Sequence, residues 1–192
     1  MTEISHVRLG VPDQAALQRI LREGGAQAFP QWLYAEPTDE PSLLWWGVRG
    51  APEEIAAGTA AEGSRLYPRP IDDWTDPPRG LVLATVEMER AGSELEDALD
   101  LKWLDDVDDP VLDARCRRAT LGRSVLVLAE PAGEGYLAAF LARHGEGPVA
   151  VALDGRGAGG RVAERNPVTL GRATYVRLGA RDAPTFIFVH AP

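Results

Sequence analysis

Cysteine occurs once in the 192 residues, at Cys116, so no disulfide can close within the chain and no set of thiols exists for zinc or an iron–sulfur cluster. A lone cysteine in such a context reads as a small packing residue rather than a nucleophile. Lysine is equally scarce, with Lys102 alone against many arginines, a bias that with the alanine, glycine and proline content suggests a bacterial genome of high GC content. No apolar run approaches the roughly 20 residues of a membrane-spanning helix. The opening MTEISHVRLG has no basic segment followed by an apolar one, so no secretory signal is read and a cytoplasmic location is expected. Positive charge is short overall: 20 Lys and Arg face 29 Asp and Glu, a net charge of −9. Phosphate backbones need a clustered cationic face, so neither nucleic acid nor membrane is expected as a partner. GRGAGG at 155–160 lacks the G-x-G-x-x-G spacing of a dinucleotide fold and the Lys-Ser/Thr of a P-loop, and no HExxH or Ser/His/Asp arrangement is present.

The remaining composition, 45% hydrophobic and 26% charged, is that of an ordinary globular protein. Residues 4–10 alternate as a strand, Asp13 is suited to cap a helix carrying Ala16, Leu17, Ile20 and Leu21, and Gly24-Gly25 ends it. Gln31–Glu36 and Ser42–Val48 read as strands. Residues 51–80 hold Pro52, Pro68, Pro70, Pro77 and Pro78; proline fixes φ and removes a ladder donor, so this stretch reads as a connector. The pattern restarts at Leu81. LVLATVEM predicts a strand, Ser93 with Glu96 a capping box for a helix holding Leu95, Ala98 and Leu99, and LKWLDDV, ARCRRATL and SVLVLAEP three further strands. The acidic stretch from Glu94 to Asp113, with Asp105, Asp106, Asp108 and Asp109, reads as a solvated loop. VAVALD, RATYVRLG and TFIFVHAP supply the last strands, with a weak glycine-rich helix between the first two.

Val125–Leu153 is the most telling segment. It predicts a buried strand, a Pro/Gly turn, a helix with Leu137, Phe140, Leu141 and His144 on one face, a turn through Gly145 and Gly147, and a second buried strand. The E-P-x-G-x-G exit and the following F-L-x-x-x-G-E-G resemble the linker between βαβββ modules of the vicinal oxygen chelate superfamily, the glyoxalase, bleomycin-resistance and dioxygenase proteins. ISHVRLGVPD is similar to the opening strand of such a module. The resemblance implies an α+β fold in which βαβββ modules form a curved mixed β-sheet cup. It divides the chain into a diverged N-terminal βαββ module at 1–50, a connector at 51–80 and a module pair at 81–192. It also implies that metal-dependent members take one ligand from the first and one from the last strand of each module. Those positions match Leu81, Ala150, Val127 and Phe188, all hydrocarbon, so the resemblance points to a divergent metal-free member with no cofactor. Pairing of modules between two chains, a homodimer, is compatible with the same family.

Several side chains remain as candidates for chemistry. His6 stands where a first-strand ligand of the N-terminal module would fall, and it serves equally as a cavity-lining hydrogen-bonding group or as a structural residue. His190 on the last strand, Glu87 on the first strand of the 81–192 unit and Glu130 at the end of the seam strand are candidate acid–base groups, since a glutamate in an apolar cup has a raised pKa. His144 at a helix C-terminus fits the macrodipole and reads as structural. Arg115 and Arg117 share a strand face and suit a carboxylate or phenolate. Trp45, Trp46 and Trp103, with Trp32, Trp74 and Tyr34, suit a flat hydrophobic ligand. The expected function is a metal-independent small-molecule-binding protein or acid–base enzyme of bacterial specialised metabolism with an aromatic or polyketide-like ligand. A divalent-metal lyase, epimerase or dioxygenase using His6 is the alternative, and an interaction protein whose cup is filled by its own side chains is a third.

Overall fold

The runs at 80–84, 124–131 and 147–154 are apolar at nearly every position because all three become neighbouring strands covered on both faces, which removes the polar alternation of a half-exposed sheet. A computed structural model of the chain describes residues 2–11, 15, 18, 31, 33–39, 42–50, 65–70, 76–104, 106–154, 169–171, 173–178 and 185–190, with the side chains of 42, 154, 173–178 and 185–190 left aside. The elements are β1 (Glu3–Val11), β2 (Leu33–Pro37), β3 (Ser42–Arg49), β4 (Arg69–Pro70), β5 (Gly80–Ala84), α1 (Met88–Leu99), β6 (Val107–Asp109), β7 (Ala114–Leu121), β8 (Ser124–Pro131), α2 (Tyr136–His144), β9 (Gly147–Asp154), β10 (Ala173–Leu178) and β11 (Thr185–His190). Of the helix expected after Asp13, only Ala15 and Gln18 are described, both helical and exposed; the glycine-rich helix after β9 lies outside the described residues.

Two sheets result. The first has the order β2-β1-β3-β4, with β1 parallel to β2 and antiparallel to β3. The second has the order β10-β11-β9-β5-β8-β7-β6. At its centre β5 and β9 pair antiparallel. Each then pairs parallel with the last strand of its own unit, β5 with β8 and β9 with β11, and each of these pairs antiparallel with the strand before it. The order first-last-penultimate thus occurs twice about the β5–β9 pair in an α+β arrangement; the unit from β5 to β8 runs βαβββ, and three strands of the other, β9, β10 and β11, are described.

The faces of this seven-stranded sheet differ in bulk. Leu81, Leu83, Leu126, Leu128, Val151 and Leu153 meet α1 and the inward side chains of β1–β3, among them Ile4, Val7, Leu9, Leu43, Trp46 and Val48. Val82, Ala84, Val127, Ala129, Ala150 and Ala152 face the other way, with Ala114, Cys116 and Leu112, and are covered by Leu137, Phe140 and Leu141 of α2. The larger residues therefore fill the space between the two sheets, and the smaller ones let α2 approach closely. The exit from α2 uses glycines where the chain requires them. Gly145 has φ 70° and Gly147 φ 148°, and a Cβ on Gly147 would lie 2.5 Å from Cβ of Arg65.

Three expectations are corrected. LVLATVEM is a strand only to Ala84: Val86 is 65% exposed and α1 starts at Met88, so Ser93 lies inside the helix and forms no capping box with Glu96. Helix entry is instead served from outside, since Glu130 Oε1 on β8 accepts the Met88 N–H at 3.2 Å, and Thr85 Oγ1 accepts the N–H of the N-cap residue Glu87 at 3.1 Å. LKWLDDV gives strand only from Val107. The acidic stretch is not all solvated. Asp109 is 1% exposed, its Oδ1 accepting the N–H groups of Val111 (2.9 Å) and Leu112 (3.2 Å) and its Oδ2 the N–H (3.1 Å) and hydroxyl (2.7 Å) of Thr169.

Candidate functional site

The centre of the seven-stranded sheet is where the resemblance places a metal ion. The register shows that Leu81 is not one of the facing positions: its partners are Leu126 and Val151, on the face toward the first sheet. Val82 is the residue that shares a face with Val127 and Ala150. All three are fully buried and carry hydrocarbon only. A divalent ion needs N, O or thiolate donors, so the residues at these positions do not fit one. Among the described residues no group of three or more His, Cys, Asp or Glu converges as a metal site. Phe188 enters only through its backbone pairing with Ala152.

Chemistry-bearing side chains gather elsewhere, on the side of the first sheet turned away from the core. Alternation along β1 sends Val7 and Leu9 inward and leaves His6 and Arg8 for this other face. The register sets Arg8 opposite Tyr34 of β2 and Trp45 of β3, and Gly47 opposite both His6 and Arg69 of β4. His6 is 5% exposed and held at both ring nitrogens: Nδ1 is 2.7 Å from the Ser5 hydroxyl and Nε2 is 3.2 Å from the Tyr34 hydroxyl, while the two rings stack at 4.9 Å. Tyr34 is 37% exposed, so the chain Ser5–His6–Tyr34 runs from a buried position to solvent. The Arg8 guanidinium lies 5.9 Å from the Tyr34 ring centre and 5.0 Å from that of Trp45, and its Nη1 donates to Glu36 Oε2 at 2.7 Å. Arg69 lies 4.7 Å from the Trp45 ring centre. The structure thus brings together His6 and Trp45 and adds Arg8, Glu36 and Arg69, which sequence reasoning passed over. The signal available was the alternation of His6 and Arg8 on a strand opposite a strand rich in aromatics.

A second cluster holds other candidates. Arg115 and Arg117 do share a face of β7, the one that also carries Leu128, and both are engaged by the chain's own carboxylates. Glu89 Oε1 on α1 lies 2.8 Å from Arg115 Nη2 and 2.7 Å from Arg117 Nη2; Asp106 pairs with both. The hydrogen bond to Arg117 leads the causes that hold the Glu89 carboxyl below its ordinary range, and the bond to Asp106 leads those that push Arg117 up. Glu130 stands 3.7 Å from Arg115 and accepts the Met88 N–H, a helix-entry role. Trp103 is half-buried nearby, donating its indole N–H to Gly92 O at 2.8 Å.

The remaining candidates stand apart. Glu87 is exposed at the start of α1, 3.4 Å from Arg90. Trp46 is fully buried in the core with its N–H on Leu66 O at 3.2 Å. His190 pairs with Ala173 and Asp154 at the end of β11, and its side chain, with Trp32 and Trp74, lies outside the described residues. His144 Nε2 is enclosed, its ring centre 5.0 Å from that of Phe140. Cys116 is fully buried, and burial pushes its thiol far above the ordinary range, which leaves it neutral and unreactive. No described helix is long and apolar enough to cross a membrane.

No protein-family model matches the chain, and no curated protein does. Among solved structures it is similar to BphC, a halotolerant catechol dioxygenase, with a TM-score of 0.55 at 9% identity over 98% of this chain and 86% of that one. Methylmalonyl-CoA epimerase from Mycobacterium tuberculosis matches over 60% of this chain and 88% of its own at 16% identity, with a TM-score of 0.48. A hypothetical protein from Bacillus halodurans C-125 matches at 20% identity over 59% of this chain and 93% of its own, with a TM-score of 0.45. With the doubled strand order of the seven-stranded sheet, the likeness to BphC shows the fold, which is that of the vicinal oxygen chelate, glyoxalase-like proteins.

Proposed function

We propose that the protein binds a small aromatic or polyketide-like molecule without a metal ion and either sequesters it or moves a proton on it, as a cytoplasmic protein of bacterial specialised metabolism. In this reading the 81–192 unit is the structural module pair and the binding face belongs to the first sheet, residues 1–50 with Arg69 of the connector. The observation that carries it is the Ser5–His6–Tyr34 chain beside Trp45, set against hydrocarbon at Val82, Val127 and Ala150. When Nδ1–H of His6 donates to Ser5 Oγ, Nε2 accepts the Tyr34 O–H. A proton taken up at the exposed Tyr34 oxygen can then pass inward to the imidazole, and the imidazolium is held by Ser5. Trp45 and Tyr34 supply flat surface for an aromatic ligand.

Metal analysis of the purified protein with a thermal-shift screen of aromatic metabolites tests this. The expected result is substoichiometric metal, no effect of chelator, and a rise in melting temperature with an aromatic compound, by mass action, that His6→Ala or Trp45→Leu reduces. Stoichiometric Fe, Mn, Ni or Zn whose removal abolishes binding would overturn the metal-free reading.

A further inference from the structure

The charge on the outer face of the first sheet identifies the ligand more narrowly than its aromatic residues do. The protein carries nine more acidic than basic residues, yet the row Tyr34–Arg8–Trp45–Arg69 presents two guanidinium groups around one indole. The described carboxylate in that row, Glu36, is joined to Arg8. Arg69 is exposed on a two-residue edge strand, and among the described residues it meets no carboxylate; its recorded partner is the face of Trp45. A guanidinium stacked on an indole is oriented and partly stripped of water, and its fork of N–H donors remains available at the edge. Arg8 is also incompletely used: its Nε is enclosed and makes no hydrogen bond. A stacked fork that meets no carboxylate among the described residues, beside aromatic surface, is complementary to a planar molecule that ends in a carboxylate.

We propose that this face binds a small aromatic carboxylate, with the acid group on the Arg69 fork and the ring alongside Trp45 and Tyr34. The inference rests on the reading of this face as the binding site and adds the charge of the ligand to it. The bound ring lies next to the Tyr34 hydroxyl, the outer end of the proton path through His6. The carboxylate thus fixes which edge of the ring meets that hydroxyl.

Calorimetric titration with 2-naphthoate and with its uncharged analogue 2-naphthamide separates the two ideas, using the full chain and the variants Arg69→Ala, Arg69→Lys and Trp45→Leu, each checked by circular dichroism. Naphthoate is expected to bind at least about tenfold more tightly than naphthamide, the size of effect one charge-assisted bidentate contact supplies. Arg69→Ala should remove that preference by weakening naphthoate much more than naphthamide, Arg69→Lys should restore it in part, and Trp45→Leu should weaken both ligands. Equal affinity for the two probes, or a preference that survives Arg69→Ala, overturns the carboxylate assignment while leaving an aromatic site in place. Binding of neither probe overturns the assignment and the site together. Displacement of naphthoate by equimolar inorganic phosphate would mark an unselective anion patch and also overturns it.

Discussion

At the scale of single residues, the buried polar groups carry more structural information than the apolar ones. Asp109 is the clearest. It closes the β6–β7 turn through Val111 and Leu112 and reaches across 60 positions to Thr169, linking the first unit of the seven-stranded sheet to the second. Its four acceptor contacts leave no lone pair facing apolar surroundings, which is how a carboxylate at 1% exposure is tolerated. Replacing it leaves several enclosed donors without partners, each costing about 1–3 kcal/mol. Asp109→Ala is therefore expected to destabilise by roughly 3 kcal/mol or more, read from urea midpoints. Asp109→Asn should recover little, because its amide donors would face the Thr169 donors. In the sequence Asp109 is indistinguishable from Asp105, Asp106 and Asp108: an aspartate run looks solvated whichever member is later enclosed.

At the scale of elements, the ends of helices and strands are set by partners distant in sequence. α1 starts five residues before the apparent capping box because Glu130 and Thr85 meet its first N–H groups. The opening of β1 is pinned in the same way. Glu3, 5% exposed, pairs with Arg49 of β3 and, at 3.0 Å, with Arg123 of the β7–β8 hairpin. Burial is the largest single influence on Glu3 and would raise its pKa; the hydrogen bonds and charges of Arg123 and Arg49 together outweigh it and leave the carboxyl below its ordinary value. A carboxyl lowered in the folded state contributes stability in full above its unfolded pKa and loses it as pH falls through the folded one. Acid should therefore weaken the protein from about pH 5 downward, and Glu3→Gln should flatten that part of the stability–pH curve, measured by chemical denaturation at a series of pH values. An unchanged slope in the variant would mean that the pairing contributes nothing.

At the scale of the whole molecule, the two sheets share one core, and Arg65 ties the backbone of β3 to the end of α2. The half-buried Arg65 donates from Nε to Leu44 O at 3.1 Å and from Nη2 to Leu43 O, both on β3, and from Nη1 to His144 O at 2.9 Å at the end of α2. Burial lowers its pKa, yet its planar fork reaches three carbonyl groups at once. Arg65→Met, similar in bulk, is expected to cost about 2–4 kcal/mol. Because the core between the sheets is continuous, unfolding should remain one transition, with calorimetric and van't Hoff enthalpies equal. Two separable transitions would show that the sheets are stabilised independently.

The seam from Val125 to Leu153 was legible before any coordinates, because continuous apolar strands, a helix with one apolar face and glycines at the turns are local signals that match the final strand–helix–strand order. The hydrocarbon at Val127 and Ala150 was equally plain. The sequence by itself determined the class of elements, their order and the chemical poverty of the central sheet positions. Tertiary structure alone decided the rest. It put Val82 rather than Leu81 opposite Val127, because register is set by pairing across strands and a one-residue shift exchanges faces. It enclosed Asp109 and half-buried Arg65, whose partners lie far along the chain. It also assembled His6, Tyr34, Arg8, Trp45 and Arg69, drawn from four strands, into one row, a proximity that no local pattern encodes.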